Sequence, residues 1–110
     1  MCVHGRKRMP QFDVYKPSGQ SGVHSLLLDI QSDLIGLIGS RVVVPMVKFT
    51  QAPKLTQRLN PVFEVGSQKY VALFQDLQSV TLEMLGARVG NLADKRFEVT
   101  TTLDFLFQGY

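Results

Sequence analysis

Asp29, Gln31, Ser32 and Asp33 place two carboxylates, an amide and a hydroxyl in one short stretch, at the entrance of a loop that continues through Leu34, Ile35, Gly36 and Gly39. Groups of this kind hold a partner by hydrogen bonds. Bond-breaking chemistry would also need a proton-transfer group. Histidine is the usual one, and the body of the chain offers only His24, in a strand-like run where an edge or surface role is the plainer reading. The other histidine, His4, and the single cysteine, Cys2, both fall in the leading segment. Cys/His zinc sites and intrachain disulfides are therefore excluded, and the cysteine usage points to a reducing cytoplasm. RNA cleavage would call for a positive groove and a proton-transfer group; Arg41, Lys54 and Arg58 could contribute, but they form no recognisable constellation.

Charge argues against a nucleic-acid grip. The 110 residues hold 12 Lys and Arg against 9 Asp and Glu, a formal charge of +3, and Arg6, Lys7 and Arg8 account for the whole excess. A fold that binds phosphates concentrates positive charge on its body. The hydrophobic share, 45%, is ordinary for a globular chain. No apolar run approaches the ~18 residues that span a bilayer. Residues 1–9 are polar and basic with no apolar signal core, and read as a disordered leader, with Met9-Pro10 a candidate start of the functional chain. Residues 10–110 read as one domain with a thin core, which a dimer interface would extend.

The elements that must position these groups are mostly strands. Gln11 to Tyr15 alternates, with Phe12 and Val14 on one face and Asp13 on the other. Val23 to Gln31 is a second strand, with Leu26, Leu28 and Ile30 sharing a face. Arg41 to Val47 is apolar on both faces from Val42 to Val44, as a central strand is, and Pro45 implies a bulge or a locally unpaired edge. Val62 to Val65 and Lys69 to Phe74 form a hairpin around Gly66. Ser79 to Leu85 alternates, with Val80, Leu82 and Met84 expected inward; Gly86 and Gly90 are expected to end that section. From Asp94 to Phe107, β-branched residues favour a strand, but Val99, Leu103 and Leu106 at i, i+4 and i+7 favour a helix capped by Asp94. The helix is the reading adopted. The sum is a small antiparallel barrel-like sheet with one terminal helix.

Four segments, in order and at matching separations, resemble the CcdB family of plasmid-type toxins: Gln11-Phe12-Asp13-Val14-Tyr15; Asp29 to Ile35; Arg41 to Met46 followed by Asn60-Pro61-Val62; and the ending Leu106-Phe107-Gln108-Gly109-Tyr110. The resemblance implies a mainly β (α+β) fold, the small SH3-like antiparallel barrel with a C-terminal helix shared with the MazF and Kid toxins. It implies a cytoplasmic homodimer that is not an enzyme and uses no cofactor or metal. Such a dimer binds the DNA gyrase A subunit, traps gyrase on cleaved DNA, and is neutralised by a CcdA-like antitoxin with which it represses its own operon. DNA is then met only through gyrase or the antitoxin complex. By motif, the gyrase-binding positions are Gln108, Gly109, Tyr110, Gln11, Phe12, Ser32, Leu34 and Ile35, with Asp104 in place of a family amide. Two departures stand out. Gln108 replaces a tryptophan, exchanging a stacking platform for hydrogen bonds, with Tyr110 where an aliphatic residue is expected; and Thr81 replaces a proline. The alternatives are a MazF/Kid-like endoribonuclease and a non-toxic antitoxin-binding co-repressor.

Overall fold

The computed structural model describes residues 10–19, 25–31, 39–51 and 58–109. The expectations for residues 1–9, His24, Ser32, Asp33, Leu34, Ile35, Lys54 and Tyr110 lie outside the described residues. The strands are β1 (Asp13–Pro17), β2 (Ser25–Asp29), β3 (Ser40–Lys48), β4 (Val62–Val65), β5 (Gln68–Ala72), β6 (Gln78–Thr81) and β7 (Leu85–Asn91), followed by the helix α1 (Arg96–Gln108).

Strand β3 is central, as its two-sided apolar sequence requires. One edge pairs with β2 from Val43 to Val47; the other is shared, Ser40–Val43 pairing with β6 and Met46–Lys48 with β5. Pro45 sits where that second edge changes partner. Ile30 donates its N–H to the Val42 carbonyl at 3.0 Å, which sets the β2–β3 alternation and turns the Pro45 nitrogen and carbonyl toward the shared edge. There the carbonyl accepts the Leu73 N–H at 2.9 Å, and the missing donor falls in the gap between β6 and β5. The locally unpaired edge expected of Pro45 is present.

The antiparallel sheet runs β4-β5-β3-β2-β1-β7, with β6 joining β3, and curls into a half-barrel. Its outermost strands approach each other: a Cβ on Gly90 of β7 would stand 3.4 Å from Val65 of β4. Val14, Leu26, Leu28, Val44, Met46, Phe63, Phe74 and Leu92 fill the inside, closed by Val99 of α1. Each such side chain contributes about 1.5–3 kcal/mol by leaving water. A smaller cluster of Leu27, Val43 and Val80 occupies the other face of the sheet. With one C-terminal helix among the described residues, this is the mainly β, SH3-like α+β fold expected of the sequence.

The helix wins over the β-branched run through tertiary packing: Val99 is buried and Leu103 packs on the core. The Thr100 and Thr102 hydroxyls are satisfied within it, donating to the carbonyls four residues back, on Arg96 and Glu98, at 3.0 and 2.8 Å. Other expectations need correction. Strand β1 begins at Asp13, not Gln11, because residues 11–12 form a turn. Strand β6 stops at Thr81; Leu82–Met84 is a 3-10 turn that leaves Leu82 and Met84 exposed rather than inward. Gly86 and Gly90 lie within β7 instead of ending the section. A Cβ at Gly86 would meet the Lys16 carbonyl at 2.8 Å, so this glycine permits the close β1–β7 approach. Asp94 does not cap α1, whose first position follows Lys95 without a side-chain cap; Asn91 Oδ1 instead accepts the Ala93 N–H at 2.7 Å, at the head of the preceding 3-10 turn.

Candidate functional site

Gln11 stands at the corner of a turn. The Asp13 N–H reaches back to the Pro10 carbonyl at 3.3 Å, and Phe12, the third residue, has φ of 73°. Turns with a positive φ at that position normally place glycine or asparagine there. A phenylalanine in the left-handed region costs on the order of 1–3 kcal/mol, and the surroundings hold it. Its N–H donates to the Asp29 carbonyl at 2.6 Å, its carbonyl accepts the Leu92 N–H at 2.8 Å, its ring is buried in the core, and the Arg96 guanidinium lies 4.9 Å from the ring centroid. Gln11, half-buried, donates its side-chain amide to the Ile30 carbonyl at 3.0 Å and accepts Asn91 Nδ2 on its own carbonyl at 3.3 Å.

Behind this corner, on neighbouring strands, lie two aspartates. Asp29 and Arg41 are both 0% exposed and joined Oδ2 to Nε at 2.8 Å. Asp29 Oδ1 accepts the Gln31 N–H at 3.0 Å, and Arg41 Nη2 donates to the Gln31 carbonyl at 3.2 Å. Asp13 Oδ1 accepts Arg88 Nε and Asn91 Nδ2, each at 2.8 Å, while its Oδ2 accepts the Tyr15 hydroxyl at 3.2 Å. Burial, then the negative field of Asp13 and the bond to it, push the Tyr15 hydroxyl up to about 12. Burial likewise raises the Asp29 carboxyl, and the bond from Arg41 opposes that rise. Asp13 raises the Arg88 guanidinium, chiefly through the hydrogen bond.

The second group of expected residues lies at the far end of α1. Its start is beside Phe12, through Arg96, and Gln108 is about 18 Å further along the axis at the usual helical rise. Gly109, at φ of 79°, ends the helix in the left-handed conformation, its N–H donating to the Phe105 carbonyl at 2.8 Å. Phe107 (69% exposed), Gln108 and Gly109 form an exposed tip, with the Phe105 ring behind them under the Arg58 guanidinium at 4.1 Å. Phe97, Thr101, Asp104 and Gln108 recur at helical spacing on one exposed face, Phe97 at 77% exposure.

Of the expected site residues described, the structure exposes Gln108, Gly109 and Asp104 together on the outer face and end of α1, half-exposes Gln11, and buries the side chain of Phe12. One chain does not bring the Gln11 corner and the helix tip together. Sequence reasoning passed over Phe97 and Phe107, although the period that sends Val99 and Leu103 inward sends Phe97 outward. It also passed over the Asp13, Asp29, Arg41, Arg88 and Asn91 network. A carboxylate directly beside apolar residues of a strand-like run, as Asp13 is between Phe12 and Val14 and Asp29 between Leu28 and Ile30, was the available signal. Among the described residues no group of His, Cys, Asp and Glu could hold a metal ion, and no helix is long and apolar enough to cross a membrane.

The family model described as "CcdB protein" matches residues 11–109, a span that begins at the Gln11 corner and ends at the Gly109 cap. The chain therefore belongs to the CcdB family, toxins of toxin–antitoxin systems whose partner is an antitoxin.

Proposed function

We propose that this chain is a poison of DNA gyrase. As a homodimer it binds the gyrase A subunit with the tips of its two C-terminal helices, and a CcdA-like antitoxin removes it. The toxin breaks no bond itself. It binds one conformation of its target more tightly than others and so shifts the population toward the cleaved-DNA complex. The observation that carries this reading is the family match ending on an exposed, glycine-capped tip of Phe107, Gln108 and Gly109. Gln11 supplies a second contact, and Phe12 serves it by shaping the corner from inside. Ser32, Leu34, Ile35, Tyr110 and Asp104 are further proposed gyrase contacts. Of the cations a ribonuclease would use, Arg41 is buried against Asp29 and Arg58 is stacked on Phe105, which disfavours that reading. Incubating the purified protein with gyrase, ATP and supercoiled plasmid tests the proposal. Linear DNA accumulating with toxin concentration supports it; none at excess toxin refutes it for that gyrase. Tight antitoxin binding together with harmless overexpression would instead identify a co-repressor.

A further inference from the structure

We propose that Arg41 is a positioning residue for target recognition, acting on Gln11 through the Ile30 carbonyl. The inference rests on the gyrase reading for its consequence and on the network for its geometry. Arg41 ties down both neighbours of Ile30: its Nε donates to Asp29 and its Nη2 to the Gln31 carbonyl, at 2.8 and 3.2 Å. Gln31 completes the clasp by donating its N–H to Asp29 Oδ1 and accepting the Val42 N–H on Oε1, at 3.0 and 2.9 Å. The Ile30 peptide is thus fixed against β3, and its carbonyl is the acceptor that orients the Gln11 amide at 3.0 Å. The carbonyl of Asp29 also receives the N–H of Phe12. One buried guanidinium therefore governs the platform on which the strained corner rests.

A buried ion pair is weak evidence for stability, since apolar residues of similar volume often serve the fold as well or better. What a lysine or an apolar side chain cannot reproduce is the planar fork that reaches a carboxylate and a carbonyl together. The demand met here is for geometry at residues 29–31, and Gln11 is the half-exposed residue that receives it.

Two variants test the proposal. Arg41→Lys retains the charge and loses the fork; Arg41→Gln combined with Asp29→Asn removes both charges. Hydrogen exchange of the Gln11 side-chain amide, followed by NMR in the free protein, needs no target. Surface plasmon resonance on the gyrase A subunit supplies a double-mutant cycle with Gln11→Ala. In a folded variant, the Gln11 amide should exchange about tenfold faster and gyrase binding should weaken about tenfold, with no further loss when Gln11→Ala is added. Unchanged amide exchange in a folded variant, or losses that simply add, would overturn the proposal. So would the failure of both variants to fold, which makes Arg41 a scaffold residue. If the wild-type chain itself shows no affinity for gyrase, the functional reading falls, while the amide exchange still decides whether Arg41 positions Gln11.

Discussion

The Arg41–Asp29 and Arg88–Asp13 pairs share the same Nε to Oδ distance, 2.8 Å, in opposite surroundings. In the first, both side chains are fully buried. In the second, Asp13 is 1% exposed but Arg88 is 56% exposed, so water solvates one partner. Equal geometry therefore does not mean equal energy. A wholly buried pair gains strong attraction only after both charges have been desolvated, and removing one member leaves the other stranded. A half-exposed pair is screened, and its arginine can return to solvent with little consequence. Asp13 also keeps Asn91 and Tyr15 when Arg88 leaves.

The largest effect that would break this contrast is at Arg41. Arg41→Met should lower unfolding free energy by ~3–5 kcal/mol at neutral pH, read by urea denaturation. The loss should shrink in acid. Burial raises the folded-state pKa of Asp29, so its protonated form is the one the fold favours. That contribution is present in full below the ordinary carboxylate range and is lost as pH rises through the raised folded value. Without Arg41 this dependence steepens, so a deficit that is constant with pH would show that Asp29 is not a stranded charge.

Next is Tyr15, hydrogen-bonded to the carboxylate of the half-exposed pair. Its folded value of about 12 lies above the ordinary tyrosine value of 10.0. Below pH 10 the phenol is protonated in both folded and unfolded chains. Above it the unfolded chain ionises first, and stability falls until the folded value is passed. The wild type should lose about 1–2 kcal/mol more than Tyr15→Phe between pH 10 and 12, after allowance for solvent screening. Parallel pH profiles for the two proteins would contradict the raised value that burial and Asp13 give this hydroxyl.

Arg88→Met should have a smaller effect on stability than either change, and 1 M NaCl should remove most of it, whereas the Arg41 deficit should persist in salt. A salt-resistant Arg88 effect would erase the contrast between the pairs. The smallest stability change belongs to deletion of Gln108 to Tyr110: residues 108 and 109 are exposed and follow the last core-packed turn, so the melting temperature should stay within a few degrees of wild type.

The two pairs also show where the sequence was readable. Strand β3, the β4–β5 hairpin and α1 were legible because periodicity or turn chemistry marks each one, and Pro45 announced its own edge. Strand β7 was hidden because Gly86 looks like punctuation until Lys16 is seen pressing against it. Leu82 and Met84 were read inward because alternation continued through a 3-10 turn that no proline or glycine advertises. The corner at Phe12 was invisible, since its left-handed backbone is held by Asp29 of β2 and by Leu92, just beyond β7, both distant in the chain. Of the proposed site, the helix tip was suggested by its motif, and the network behind Gln11 was not. Asp13 meets Arg88 and Asn91 only once β1 and β7 pair.

The central claim is that an exposed helix tip on this scaffold disables gyrase. Overexpression in a sensitive bacterium of the full chain and of the same chain lacking Gln108 to Tyr110 tests it most directly, with folding of both confirmed by thermal melting. Growth should stop with the full chain and continue with the shortened one. Equal arrest by both, or none by either at matched expression, would contradict the account.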